Sequence, residues 1–93
     1  MLVNFLDDKF PKEIKYKMFQ LEKDILKNMK VKSYNFIYDT LYNNIKIKLK
    51  FDITTIELYY AYDEIKINEH VRIYYNIANR VNKEILNNIY KEV

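Results

Sequence analysis

The sequence predicts an α+β fold: a two-layer sandwich in the order α-β-β-β-α, with two long helices on one face of an antiparallel sheet. Three observations predict it. Apolar residues recur at helical spacing near both ends of the chain. Between those regions, from Val31 to Tyr62, the period falls to two. The links between the alternating segments are short, which suits antiparallel neighbours. At 93 residues, 49% apolar and 31% charged, the chain is expected to form one globular domain, residues 1–93.

Residues 11–29 read as the first helix. Pro11 suits the first helical position, where its missing N–H loses no partner. Glu13 is favourable in the first turn. Ile14, Met18, Leu21, Ile25 and Met29 share one face, and Phe10 extends that stripe. Phe19 and Leu26 flank it, while Lys15, Glu22, Lys23 and Lys27 take the wet side. Residues 1–10 are an N-terminal segment without an assigned element. Its apolar stretch from Leu2 to Leu6 is able to fold back over exposed apolar positions.

Three strands follow. In 32–42, Tyr34, Phe36, Tyr38 and Tyr42 share a face, with Asn35 and Asp39 opposite. Asn43 and Asn44 suit a two-residue hairpin turn with positive φ. Residues 45–53 alternate most regularly: Ile45, Ile47, Leu49, Phe51 and Ile53 against Lys46, Lys48, Lys50 and Asp52. Thr54 and Thr55 are read as a tight turn, with a longer bent strand as the alternative, since threonine is a poor turn former. In 56–62, Ile56, Leu58, Tyr60 and Tyr62 face one way, and Glu57, Tyr59 and Ala61 the other. Asp63 and Glu64 then lead either to a short fourth strand at 65–67 or directly to the last helix.

Residues 69–91 read as that helix, with Asn68 as its N-cap and Glu69 in its first turn. Val71, Tyr74, Tyr75, Ala78, Val81, Ile85 and Ile89 form the expected core stripe. Ile73, Ile77 and Tyr90 fall off it and are expected to contact a partner or a second copy in a homodimer. At 1.5 Å per residue the two helices run about 28 and 34 Å and overhang the sheet.

Composition excludes several chemistries. There is no cysteine and one histidine, which leaves no disulfide, no thiolate nucleophile and no ordinary structural zinc site. There is no glycine, so a P-loop, a dinucleotide fingerprint and a nucleophile elbow are all absent. His70 stands at a helix start near Asp63, Glu64 and Glu69 and reads as an exposed bystander. Ser33, the only serine, has nothing to bring it to His70. No catalytic, metal or cofactor residue is assigned, and the chain is expected not to be an enzyme. No apolar run reaches membrane-span length, and residues 1–6 lack the basic start of a signal peptide. A cytoplasmic protein is expected.

The binding candidates lie on the outer sheet face: Lys46, Lys48, Lys50, Glu57 and Tyr59, with Asp63 beside them. One reading is a solvated face whose lysines pair across strands with Glu57 and Asp63. The other is a basic strip that touches phosphates. A net charge of +3 and a pI near 9.0 are only mildly basic, and two arginines are few for base or phosphate recognition. The predicted order resembles the double-stranded RNA-binding domain in topology. That family carries a lysine cluster at the start of its second helix. Here the start reads Asn68-Glu69-His70-Val71-Arg72, so no residue role carries over.

Most of the ten tyrosines fall in phase with apolar stripes, which places their rings in the core and their hydroxyls at its rim. Tyr16, Tyr59 and Tyr90 are out of phase and should be exposed. Lys, Asn, Ile, Tyr and Phe make up 53 of 93 residues, a bias that AT-rich coding explains. Small size, this bias and surplus apolar surface are similar to the profile of small anti-defence proteins, anti-CRISPR proteins among them. The expectation is a small protein-interaction module, an inhibitor encoded by a virus or other mobile element, blocking a protein partner sterically in the host cytoplasm. The alternative is a nucleic-acid-binding protein that uses the lysine strip.

Overall fold

The computed structural model describes the backbone of residues 1–91 and the side chains of residues 1–89. In chain order the elements are β1 (Leu2–Asn4), α1 (Lys12–Asn28), β2 (Ser33–Asp39), β3 (Asn44–Lys50), β4 (Thr55–Ala61), α2 (Tyr62–Ile67) and α3 (His70–Lys91). The class is α+β, and all four strands join one antiparallel sheet in the order β1-β2-β3-β4.

The fourth strand sits at the opposite end of the chain from the expected one. Leu2–Asn4 pairs with β2, Val3 standing across from Tyr38. Phe5 continues the ladder by donating its N–H to the Phe36 carbonyl at 2.9 Å. Val3 and Phe5 turn into the core, while Leu2, Asn4 and Leu6 face outward. Residues 65–67 are helical. In α2 the Glu64 carboxylate accepts the Ala61 N–H at 3.2 Å, which satisfies one of the N–H groups a helix start leaves unpaired. Asn68 is not the N-cap of α3. It closes α2, donating its side-chain N–H to the Glu64 carbonyl at 2.8 Å.

The strands are shorter than the alternation suggests. Asp39 pairs with Asn44, so residues 40–43 form the hairpin loop. The Asp39 carboxylate accepts the N–H groups of Leu41 and Tyr42, an Asx turn. Asn43 takes the positive φ, at 52°. Tyr42 therefore leaves the core face and is exposed. β3 ends at Lys50, and the Phe51 N–H bonds to the Thr54 carbonyl at 2.8 Å to close the β3–β4 loop. Phe51 packs on the core, while Ile53 is exposed.

One apolar core joins every element. α1 contributes Ile14, Met18, Leu21 and Ile25. The strands contribute Val3, Phe36, Ile45, Ile47, Leu49, Ile56, Leu58 and Tyr60, α2 contributes Ile65, and α3 contributes Ile73, Ile77 and Val81. The α3 face is rotated from the predicted stripe. Ile73 and Ile77 are 4% and 0% exposed, whereas Val71, Tyr75 and Ile89 lie out in solvent.

Tyrosines tie neighbouring elements at the rim. The Tyr34 hydroxyl donates to Glu22 on α1, Tyr60 to Asn76 on α3, and Tyr62 to Glu13 on α1, at 2.7–2.9 Å. The Glu22 bond raises the Tyr34 pKa, and burial raises those of Tyr60, Tyr62 and Tyr74. Raised folded-state values favour the neutral phenol. The stability they carry is whole below the ordinary tyrosine range and is lost as pH rises through the folded values. The chain should lose its helical circular dichroism in the alkaline window where tyrosinate absorbance appears. Tyr60→Phe should move that midpoint to higher pH, and an unmoved midpoint would mean that ionisation of this hydroxyl does not limit the fold.

Candidate functional site

Period-two geometry sends alternate side chains of β2, β3 and β4 away from the core. The register lines them up in rows across the strands. Ser33, Lys50 and Thr55 form one row, Asn35, Lys48 and Glu57 the next, and Ile37, Lys46 and Tyr59 the third. The five residues singled out on this face, Lys46, Lys48, Lys50, Glu57 and Tyr59, are therefore neighbours. Asp63 is not among them, because the chain has already turned into α2.

Glu57 is the hub of the face. Its Oε2 lies 3.4 Å from the Lys46 ammonium and accepts the Tyr59 hydroxyl at 3.2 Å. Its Oε1 lies 4.0 Å from the Lys48 ammonium. One carboxylate thus sits between two cations and a phenol. All are partly solvated, so each contact adds at most about 1 kcal/mol to stability. Their effect is on the potential of the face, where Glu57 offsets one of the two charges of Lys46 and Lys48.

Lys50 differs. Among the described residues no carboxylate lies within ion-pair distance of it. It lines a polar depression of about 370 Å³ with Ser33, Tyr34, Asn35, Lys48 and Thr55. Asn35 is held from the side, its Oδ1 accepting the Asn4 side-chain N–H at 2.6 Å. At the β4 edge the Arg80 guanidinium donates to the Tyr59 carbonyl at 3.3 Å and lies over the Tyr60 ring, 4.9 Å from its centroid. The backbone of Tyr59 is clamped from α3 while its ring stays exposed.

The second group of predicted contacts does not form a surface. Ile73 and Ile77 are core residues, and the Tyr90 side chain lies outside the described residues. Among the described residues the exposed apolar side chains of α3 are instead Val71, Tyr75, Leu86 and Ile89. Leu86 went unassigned in the sequence. Its signal was present, because the helix is apolar over more than half its circumference, and a period alone does not say which arc the core takes.

His70 is not a bystander. Its Nδ1 lies 3.1 Å from Asp24 Oδ2, tying the start of α3 to α1. Ser33 stands on the outer sheet face, away from this pair. Among the described residues no three His, Asp or Glu side chains gather to hold a metal ion. No described helix is long and apolar enough to cross a membrane. The arrangement offers hydrogen-bond donors and acceptors, an exposed ring and partly compensated charge on a four-stranded sheet. No protein-family model, curated protein or solved structure matches the chain.

Proposed function

We propose that the chain is a non-enzymatic protein-interaction module that applies the outer face of its sheet to a protein partner. The observation that carries this reading is the Glu57 hub. A strip built for phosphates gains from unpaired cations. Here a carboxylate sits between Lys46 and Lys48, and Tyr59 and Ile37 lie in the adjoining row. Partly compensated charge with an exposed tyrosine matches protein interfaces better than phosphate tracks. We read the fold as a two-layer sandwich, with both long helices on the inner face of the sheet and the outer face left for contact. We further infer a steric inhibitor from a virus or other mobile element, acting in the host cytoplasm; the AT-rich composition supports that origin. The alternative, nucleic-acid binding through Lys46, Lys48, Lys50 and Tyr59, draws on the unpaired Lys50.

Titration with labelled single- and double-stranded DNA and RNA across a salt series separates the two. The native chain should bind none of them with a steep salt dependence. Glu57→Gln should create weak affinity for duplex DNA, rising about tenfold toward low salt as Lys46 and Lys48 become available. Tight, salt-steep binding by the native chain, lost in a Lys46→Glu, Lys48→Glu, Lys50→Glu variant, would overturn the protein-interaction reading.

A further inference from the structure

An open sheet has two edges, and here they differ. At one edge β1 is three residues long, and the chain closes on it at once, the Asn4 carbonyl accepting the Asp7 N–H at 2.9 Å. At the other edge β4 runs regularly for seven residues, Thr-Ile-Glu-Leu-Tyr-Tyr-Ala. It has no proline, no lysine and no bulge against β3, and those are devices that keep an edge from pairing.

Bonds beyond both ends of the β3–β4 ladder set its phase. Phe51 donates to the Thr54 carbonyl, and Tyr62 donates to the Asn43 carbonyl. In an antiparallel ladder such bonds recur at every second residue. Ile56, Leu58 and Tyr60 therefore turn their backbone groups to β3, while Thr55, Glu57, Tyr59 and Ala61 aim theirs away from the sheet. Side chains close two of these outward groups. Glu64 accepts the Ala61 N–H at 3.2 Å, and Arg80 donates to the Tyr59 carbonyl at 3.3 Å. Among the described residues nothing bonds the backbone groups of Thr55 and Glu57 or the Tyr59 N–H. All three residues are exposed. The edge is shut along its C-terminal half and open along its N-terminal half.

A row of free N–H and C=O groups at strand spacing is complementary to the backbone of another extended strand. A second copy of β4 fits it badly. About a two-fold axis, odd-numbered residues must face one another. Glu57 against Glu57 sets like charges directly opposite, which destabilises the pair. Registers centred nearer Ala61 need the Tyr59 carbonyl, which Arg80 holds. A register centred on Ile56 sets Tyr59 against Ile53, in the loop before the strand begins.

We propose that the open edge of β4 takes an extended segment of a partner protein as a further antiparallel strand. The segment's residue opposite Glu57 exchanges both backbone bonds with it, and the residue two positions later does the same with Thr55. The residue two positions earlier, opposite Tyr59, accepts the Tyr59 N–H but finds no free acceptor for its own. Proline has no N–H to leave unpaired and is tolerated at the first residue of a strand, so it suits that position. The contact is made by backbone groups, so it stands whether or not the outer face docks a partner.

The test selects random peptides displayed on phage against the full chain, then titrates the selected sequences, labelled, by fluorescence anisotropy. N-methylation of alternate peptide residues should show one phase that weakens binding about tenfold or more and one that leaves it intact. On binding, exchange of the Glu57 and Tyr59 amide hydrogens should slow about tenfold or more. Glu57→Pro removes an edge N–H without taking a bond from the ladder to β3 and should lose the peptide, whereas Glu57→Gln should keep it. The methylation scan leaves the protein unaltered, so it decides the matter even where proline unsettles the strand. Selection of no peptide, protection at other amides, or equal loss in both methylation phases would overturn the proposal. So would a dimer of the native chain in sedimentation with slowed Glu57 exchange, which would give the edge to a second copy.

Discussion

Phe5→Ala is expected to lower the unfolding free energy by about 3–4 kcal/mol, the usual cost of deleting a buried aromatic. Phe5 is almost fully buried and holds three rings together. Its centroid lies 5.0 Å from Phe36, 5.4 Å from Phe19 and 6.5 Å from Phe10, each at a steep angle. Phe36 belongs to β2, Phe19 to α1, and Phe10 to the approach to α1. Removing the ring opens a cavity where strand, helix and loop meet. For a domain of this size the change corresponds to a fall in Tm of roughly 12–30 °C. Leu2→Ala, on the outward side of the same strand, should change stability by less than about 0.5 kcal/mol. Thermal unfolding of the two variants checks this. If Phe5→Ala cost no more than Leu2→Ala, β1 would not be part of the core.

Lys17→Met is expected to cost about 2–3 kcal/mol, because hydrogen bonds from a charged donor contribute about that much. The Lys17 ammonium donates to the carbonyls of Ile65 at 2.7 Å, Lys66 at 2.9 Å and Asn68 at 2.6 Å. All three of its hydrogens meet the C-terminal end of α2. A cation there also suits the helix dipole. Methionine keeps an apolar stem of similar length and removes the ammonium with its three donors, so the change reads the capping itself. Urea denaturation should show the loss, and hydrogen exchange should quicken first in α2. Lys12→Met, at an exposed position of the same helix, is the control. A protected α2 in the Lys17 variant would show that packing of Ile65 alone holds it.

Both predictions rest on parts of the molecule that the sequence hides. β1 is three residues long, and apolar Leu2 and Leu6 face outward beside inward Val3 and Phe5. With apolar residues on both faces, the alternation that marks a strand disappears. α2 is six residues and begins where an alternating run ends, so its pattern looks like continued strand. Lys17 lies among other lysines, and nothing in its neighbours foretells carbonyls 48–51 positions away. The pairing of His70 with Asp24 is equally non-local. The Glu57 hub, in contrast, was legible. Lys46, Lys48, Glu57 and Tyr59 come from two consecutive strands whose register follows from their shared period.

By itself the sequence determined the α+β class, the buried face of α1 and the inward and outward sides of β3 and β4. In each of these, the larger aliphatic residues concentrate on one side, so burying them favours one orientation. Tertiary structure decided what the local pattern left degenerate. It placed β1 beside β2, bent 62–67 into a helix held by Lys17, and turned α3 so that Ile73 and Ile77 face the core. α3 is apolar over so wide an arc that several rotations bury similar area. Only the fit against α1 and β4, with Tyr60 bonded to Asn76 and Arg80 laid over its ring, selects among them. That choice leaves Val71, Tyr75, Leu86 and Ile89 facing outward.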